Sequence, residues 1–354
     1  MLKNIYLNNF RNYVNCKVDF DYITIIVGPN GIGKSNLIEA IYMLCVSFSY
    51  RTLKNQQLVN FNSTYSRIVA EEQKNKLEIF LDNSSKFKSN KIYKINSIKV
   101  KRSEFIGSFK AVIFSPESIE IVLGSPDKRR KFLNTILAQT DKDYLNSLFK
   151  LRKIIKQRNE LLNRINIGLA KIEELDFWDD KLLEVTNTIV SKRKSIVEFI
   201  QRSVKKCYAK ISQLDNKINI IYQESLIKKD TLARNRQKEI KLAQSLYGPH
   251  RDDLLFTLNG KSMINFASRG EARTLVLCLK ISEIEYIKHY NFKPVLLLDD
   301  IFSELDKKRS RQLIDLFANQ QTILTLTSLE DIDLKIIKKY KIINLEKIHN
   351  DRTN

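Results

Sequence analysis

The chain holds only 9 glycines and 5 prolines in 354 residues, and their spacing decides what it can fold into. Between Pro126 and Gly248 the single turn former is Gly168, so about 120 residues run almost without punctuation. Such a tract is helical. Its apolar residues recur at three and four, as in Phe132, Leu133, Ile136 and Leu137, then Ile189, Val190, Ile196, Val197 and Ile200, which predicts several packed helices.

On either side of this tract the pattern changes. Short alternating or apolar runs at 23–28, 66–72, 76–82, 91–100 and 110–116 read as strands, and so do PVLLLDD at 294–300, QTILTLTS at 321–328 and KIINLE at 341–346. The C-terminal strands alternate with helical stretches, the pattern of a parallel sheet wrapped by helices. The expected fold is therefore an α/β domain interrupted by a helical insertion. The tail after about residue 346 reads as unstructured.

GPNGIGKSN at 28–36 follows the apolar run ITIIV and opens a helix through Leu37, Ile38, Ile41 and Leu44. Strand, glycine-rich loop and helix in that order are the context of a phosphate-binding P-loop. Gly28, Gly31 and Gly33 let backbone N–H groups converge on phosphates, with Pro29, Asn30, Ile32 and Asn36 completing the loop. Lys34 reaches the terminal phosphates, and Ser35 can ligate Mg²⁺. A second strand must bring a carboxylate to the metal, and VLLLDD supplies Asp299 for it. Asp300 follows as a candidate base for the attacking water. ATP or GTP with Mg²⁺ is the expected ligand.

FASRGEART at 266–274 lies some 25 residues ahead of the Asp pair. Ser268 at a helix start, with Gly270 beside it, can cap the helix or present an anion site. Its placement resembles the signature loop of ABC-type ATPases, which covers the γ-phosphate held by a second molecule's P-loop. The resemblance gives Ser268, Arg269, Gly270 and Glu271 that role in trans. It makes Ser303, Glu304, Leu305 and Asp306 the dimer-contact D-loop, and puts Thr327 at the switch position as a catalytic residue beside Lys34 and Asp300. That class usually has Glu where Asp300 stands.

Together NNFRNY at 8–13, GPNGIGKSN, SYRT at 49–52, SPESIEIVLGSPDKRRKFLN at 115–134, YGPHRDDL at 247–254, SRGE at 268–271 and LLLDDIFSELD at 296–306 resemble the RecF family of bacterial recombination mediators, related to structural-maintenance-of-chromosomes heads. The likeness runs essentially from end to end. It implies an ABC-type P-loop ATPase head with an inserted helical arm lobe. The head would comprise residues 1–125 and 246–354, and the arm residues 126–245. It also implies an ATP-dependent homodimer that hydrolyses ATP slowly, binds double-stranded and gapped DNA, and works with RecR and RecO to load RecA. Arg11 and Asn12 would lie near the nucleotide, and Lys128, Arg129, Arg130 and Lys131 could contact DNA phosphates. As four consecutive helix residues, those last span all faces, so some of them would be plain solvated surface. The family often has Gln where Glu271 stands, and a carboxylate facing ATP would call for a basic partner such as Arg269 or Arg273.

Charge fits a polyanionic partner: Lys and Arg exceed Asp and Glu by 61 to 40, a net charge of +21. Residues 127–241 alone carry 27 Lys/Arg against 15 Asp/Glu. A Lys-, Asn- and Ile-rich compositional bias is the bland explanation. No run approaches a membrane span and MLKNIYLNNFRNY lacks a secretory pattern, so the expected location is cytoplasmic, without a membrane partner. The rival readings are another structural-maintenance-type ATPase, a transporter's nucleotide-binding subunit, a small-molecule kinase and a head ATPase fused to nuclease chemistry. The basic helical tract, the SRGE and SELD segments, and the lack of a second carboxylate cluster argue in turn against the last three.

Overall fold

The structure, a computed structural model, describes residues 1–52, 54–84, 90–212, 217–332, 337 and 339–346. The tail after residue 346 thus lies outside the described residues. The chain forms two compact units, Met1–Ser118 together with Glu283 onward, and Ile119–Ser282.

The first unit opens with a hairpin of β1 (Leu2–Phe10) and β2 (Tyr13–Asp19), followed by β3 (Ile23–Val27) and helix α1 (Lys34–Val46). Next come β4 (Tyr65–Glu72), β5 (Asn75–Asp82), β6 (Asn90–Ile95), β7 (Ile98–Val100), the short helix α2 (Arg102–Phe105) and β8 (Ala111–Phe114). The hairpin at the start has no glycine at its turn; Asn9 and Arg11 take the left-handed conformation at φ 50° and 55°. KIYKINSIKV, which reads as one strand, is two, because Asn96 and Ser97 turn the chain at φ 51° and 68°.

The second unit contains α3 (Glu120–Leu123), α4 (Pro126–Thr140), α5 (Lys142–Asn166) and α6 (Leu175–Ser212). At 38 residues, α6 runs for about 57 Å. The helical tract is broken by β9 (Ile218–Gln223), after which come α7 (Lys229–Leu242), β10 (Asp253–Leu258), β11 (Lys261–Ser262), α8 (Met263–Phe266) and α9 (Arg269–His289), whose last turns belong to the first unit. Strand β9 pairs antiparallel with β10, so YGPHRDDL leads into a three-stranded sheet. The unit extends to Ser282 and takes in β10, β11 and the SRGE segment, which the sequence reading groups with the C-terminal part of the head.

The chain then returns to the first unit with β12 (Val295–Asp299), α10 (Lys307–Asp315), β13 (Thr322–Leu326) and β14 (Lys341–Asn344). Two sheets result. One is antiparallel in the order β2-β1-β4-β5-β6-β7; the other is parallel in the order β14-β3-β13-β12-β8. Strands β12 and β13 are buried along their whole length, as near-continuous aliphatic runs in a parallel sheet should be. Helix α1 shares one core with both sheets: Leu37, Ile38 and Ile41 join Leu2, Ile5 and Ile68 of one and Ile26, Leu297 and Ile323 of the other.

Among the described residues no helix is long and apolar enough to cross a membrane.

Candidate nucleotide-binding site

The carboxyl ends of the central parallel strands form one edge, and the loop Gly28–Gly33 runs from the end of β3 to the start of α1 at that edge. Gly33 adopts φ +116°, and a Cβ there would stand 2.7 Å from the Asn12 amide and 3.0 Å from the Tyr13 hydroxyl. Only glycine fits. Lys34, buried at the helix start, donates from Nζ to the carbonyls of Gly28 at 2.6 Å and Pro29 at 3.1 Å. Its ammonium thus lies within the curve of the loop, where terminal phosphates are bound in P-loops.

Across the sheet edge, Asp299 ends β12 opposite Thr325 of β13. Ser35 Oγ donates to Asp299 Oδ1 at 2.9 Å, Thr325 Oγ1 donates to the same oxygen at 3.1 Å, and the Tyr50 hydroxyl donates to Oδ2 at 2.7 Å. Asp299 is only 4% exposed, and burial pushes its carboxyl up from the ordinary range while the three hydroxyls pull it back down. Burial likewise holds the Tyr50 phenol well above its usual pKa, so it stays a donor. A serine hydroxyl touching a buried carboxylate at the mouth of a phosphate loop is a donor set suited to Mg²⁺, a hard cation that takes few protein oxygens beside phosphate.

Asp300, the next residue, is in the left-handed conformation at φ 49°, and its N–H donates to Thr325 Oγ1 at 2.9 Å. The peptide turns just past the strand, and the Asp300 carbonyl accepts from Ser303 Oγ at 3.0 Å. Thr327 Oγ1 donates to Asn30 Oδ1 of the loop at 3.5 Å, so the candidate switch residue reaches the P-loop. Leu305 follows in the same turn, and Asp306 caps α10 by accepting from the Arg309 N–H at 2.9 Å. The side chain of Glu304 lies outside the described residues.

The FRNY turn packs against the loop. Asn12 Nδ2 donates to the Ile32 carbonyl and its Oδ1 accepts from Asn36, both at 2.8 Å, while the Tyr13 hydroxyl donates to the Gly33 carbonyl at 3.0 Å. Arg11 forms a two-pronged pair with Glu39 at 2.9 and 2.7 Å. Glu39 is fully buried, one turn beyond Ser35 on α1, and also accepts from Ser49 and pairs with Arg51 at 3.8 Å. Sequence reasoning missed Glu39, Tyr50 and Thr325. The one available signal was a lone acid inside the apolar period of LIEAIY, since a buried charge must be paired.

The SRGE segment is treated by itself, in the second unit. Ser268 N–H and Oγ donate to Glu271 Oε2 at 2.8 and 2.9 Å, and Glu271 N–H donates back to Ser268 Oγ at 3.2 Å. This reciprocal arrangement is a capping box, which gives Glu271 a local task at the start of α9, next to Arg269 and Gly270. The Gly270 carbonyl accepts from Thr274 Oγ1 at 2.9 Å.

The basic cluster of α4 divides by direction. Arg129 is 2% exposed, pairs with both oxygens of Asp253 at 2.6 and 3.0 Å and donates to the Gly124 carbonyl at 2.6 Å. An expected phosphate contact is therefore withdrawn for Arg129: its guanidinium is committed inside the unit. Arg130 is half-buried and bonds Asp127 and the Asp252 carbonyl; Lys131 is half-buried too, and burial lowers its pKa. Lys128 is exposed beside Glu120.

A sequence profile described as the RecF/RecN/SMC N terminal domain matches residues 1–341. The chain is 36% identical over 337 residues to the DNA replication and repair protein RecF of Agathobacter rectalis, covering 94% of this chain and 93% of that one. It is 33% identical over 352 residues to the RecF of Lachnoclostridium phytofermentans, covering 97% and 98%. A solved structure of the recombination mediator protein RecF with ATP superposes with a TM-score of 0.85 at 34% identity, covering 94% of this chain and 95% of that one. The Smc head domain of Pyrococcus furiosus superposes at 0.51 with 18% identity, over 97% of this chain and 92% of the other, a likeness of fold. The architecture is the α/β fold of ABC-type ATPase heads.

Proposed function

Because the chain belongs to the RecF/RecN/SMC family, we propose that it is an ATP-dependent DNA-binding protein of replication and recombinational repair, a weak ATPase that uses hydrolysis as a switch. The observation that carries this reading is the contact of Ser35 with Asp299, which joins the phosphate loop to the end of β12. In this reading residues 28–36 bind ATP, with Lys34 on the terminal phosphates, and Ser35 and Asp299 hold Mg²⁺. The cation supplies charge neutralisation at the phosphates. Asp300 orients and deprotonates the attacking water, and Thr327 senses the γ-phosphate end through its place beside Asn30. Arg11 and Asn12 support the loop from outside.

The second half of the site comes from another copy. Ser268 to Glu271 present the start of α9, with its positive dipole end, to the ATP held by the partner, and residues 303–306 line the contact. ATP thus closes a homodimer. That dimer binds double-stranded DNA and gapped junctions through phosphate contacts, Lys128 among them, acts in the cytoplasm, and works with RecR and RecO in loading RecA. The similar ATP-bound structure is described as belonging to the RecFOR pathway, which supports those partners.

One experiment tests the whole reading: binding of the purified chain to duplex, single-stranded and gapped DNA at several salt concentrations, with and without ATP, while its mass in solution is followed. ATP should drive dimerisation and strengthen binding to duplex-containing DNA, with affinity falling steeply as salt rises. An ATP-independent monomer with unchanged DNA affinity rules the switch out.

A further inference from the structure

Asp299 is gripped by three hydroxyls, and they are not equivalent. Ser35 belongs to the phosphate loop and is also the residue that a divalent cation would claim. Tyr50 and Thr325 have no such second employment. A carboxylate offers about four lone-pair sites. Oδ1 uses two, for Ser35 and Thr325, and Oδ2 one, for Tyr50. Were Ser35 to turn away, Tyr50 and Thr325 would each still hold a different oxygen, which is enough to fix the plane of the group.

The phenol owes its place to α1 itself. After the helix ends at Ser47, in the left-handed conformation at φ 62°, the chain doubles back and is tied down on both sides of Tyr50. Ser49 donates to Glu39 and also accepts the N–H groups of Arg51 and Thr52, each at 2.9 Å. Arg51 donates to Asn36 Oδ1 at 2.7 Å. The ring stands edge-on to Tyr42, centroids 5.9 Å apart. The helix that starts with Lys34 and Ser35 therefore carries at its far end the tyrosine that returns to the Asp299 carboxylate.

We propose that Tyr50 is a positioning residue for metal binding at this site: its hydroxyl anchors Asp299 Oδ2, with Thr325 anchoring Oδ1, so that the carboxylate keeps its orientation when Ser35 exchanges it for a divalent cation. This rests on the reading of the loop as an ATP and Mg²⁺ site. Tyr50 touches neither nucleotide nor metal in this role; it acts through Asp299.

The test uses the full chain and its Tyr50→Phe variant, which keeps the ring and loses only the hydroxyl. Binding of a fluorescent ATP analogue is measured first with EDTA and then along a Mg²⁺ titration, with thermal melting in parallel. The expected result is unchanged affinity in EDTA, an unchanged melting temperature to within a few degrees, and a half-saturating Mg²⁺ concentration raised about tenfold, the value of one hydrogen bond to a charged group. Asp299→Asn should raise it further. An equal Mg²⁺ requirement in wild type and Tyr50→Phe overturns the proposal, as does a parallel loss of affinity in EDTA or of stability, which would make Tyr50 a packing residue. If the wild type binds no nucleotide at all, the ATP reading falls, and the positioning role with it.

Discussion

Both units bury aliphatic side chains, but the second also encloses three arginines. Around α1 the first unit buries aliphatic side chains between two sheets, with Leu2, Ile5, Leu37, Ile38 and Leu297 fully enclosed. The second unit buries arginines. Arg129, Arg158 and Arg193 are each 2% exposed or less. Arg158 lies between Asp179 at 2.8 Å and Glu239 at 2.6 Å and donates to Ser245 at 2.9 Å. Arg193 pairs with Asp252 at 2.7 Å and donates to the Tyr144 hydroxyl, the Asn134 side chain and the Pro249 carbonyl. Asp252 and Asp253 are the acids of YGPHRDDL, so that segment latches α4 and α6 to β10 through charge. An aliphatic core is specified by shape and close packing, since apolar contact has no direction of its own; guanidinium forks on carboxylates fix angle and register as well. Both units are held by buried apolar area, and the second adds the angles fixed by three enclosed guanidinium groups.

The harshest way to break that contrast is to remove one fork. Arg158→Ala leaves the buried Glu239 without its cation, while Asp179 keeps Arg236 at 2.9 Å, a loss of about 3–5 kcal/mol. A first-unit counterpart, Leu297→Ala, should cost about 2–5 kcal/mol through its cavity. The two differ in chemistry: Arg158→Lys keeps the charge but not the fork and should still lose stability, whereas Leu297→Met, close in volume, should cost less than about 1.5 kcal/mol. Denaturant melts of the four variants decide it. Arg158→Lys indistinguishable from wild type would mean that charge alone suffices and geometry does not.

Next in size is a change at the rim of the aliphatic sheet. Asp300 projects from the end of β12, past the last buried strand residue, so Asp300→Asn should leave melting unchanged while the ATPase rate falls by roughly 10²-fold. Equal steady-state rates in the two proteins would remove Asp300 from the role of base.

How much of each unit could be read in advance follows from the same contrast. The aliphatic runs ITIIV, VLLLD and TILTL announce their strands, and with GPNGIGKSN they single out Lys34, Ser35 and Asp299, which the structure brings to one sheet edge. The buried forks announce nothing, because an inward Arg looks like an outward one in a sequence. Arg129 was grouped with Lys128, Arg130 and Lys131 as a possible contact to DNA, yet it is the most enclosed of the four. Turns went unread where asparagine took glycine's place: Asn9, Asn96 and Asn291 all have positive φ. Strand β9 was swallowed by the helical tract for the same reason, no glycine or proline marking it off. Glu39 and Tyr50 needed the chain to double back after Ser47, a long-range return that no local pattern encodes.

Smaller effects are expected where a unit's surface meets solvent. Ser268→Ala removes the hydroxyl that accepts from the Glu271 N–H, while the backbone N–H at position 268 can still donate to Glu271, and should cost about 1 kcal/mol. Glu271→Gln keeps a side chain able to reach back to the Ser268 N–H, so its melting should move less. A larger loss from Glu271→Gln than from Ser268→Ala would show that the carboxylate serves something other than the cap.

The smallest effect on folding, and the most informative about charge, comes from neighbours on one helix. Lys128 is exposed and its partner Glu120 is exposed as well, so Lys128→Ala should leave stability within about 0.5 kcal/mol. If Lys128 touches a phosphate, the slope of log affinity for duplex DNA against log salt should become shallower by about 1. Arg129→Ala one residue along should do the reverse: the Asp253 carboxylate loses both its bonds to the guanidinium, the unit is destabilised, and the salt slope of the protein that remains folded is unchanged. Both outcomes depend on direction alone, since the two residues carry the same charge on the same turn. Parallel salt slopes for the two variants would erase the distinction between inward and outward charge on which the comparison of the units rests.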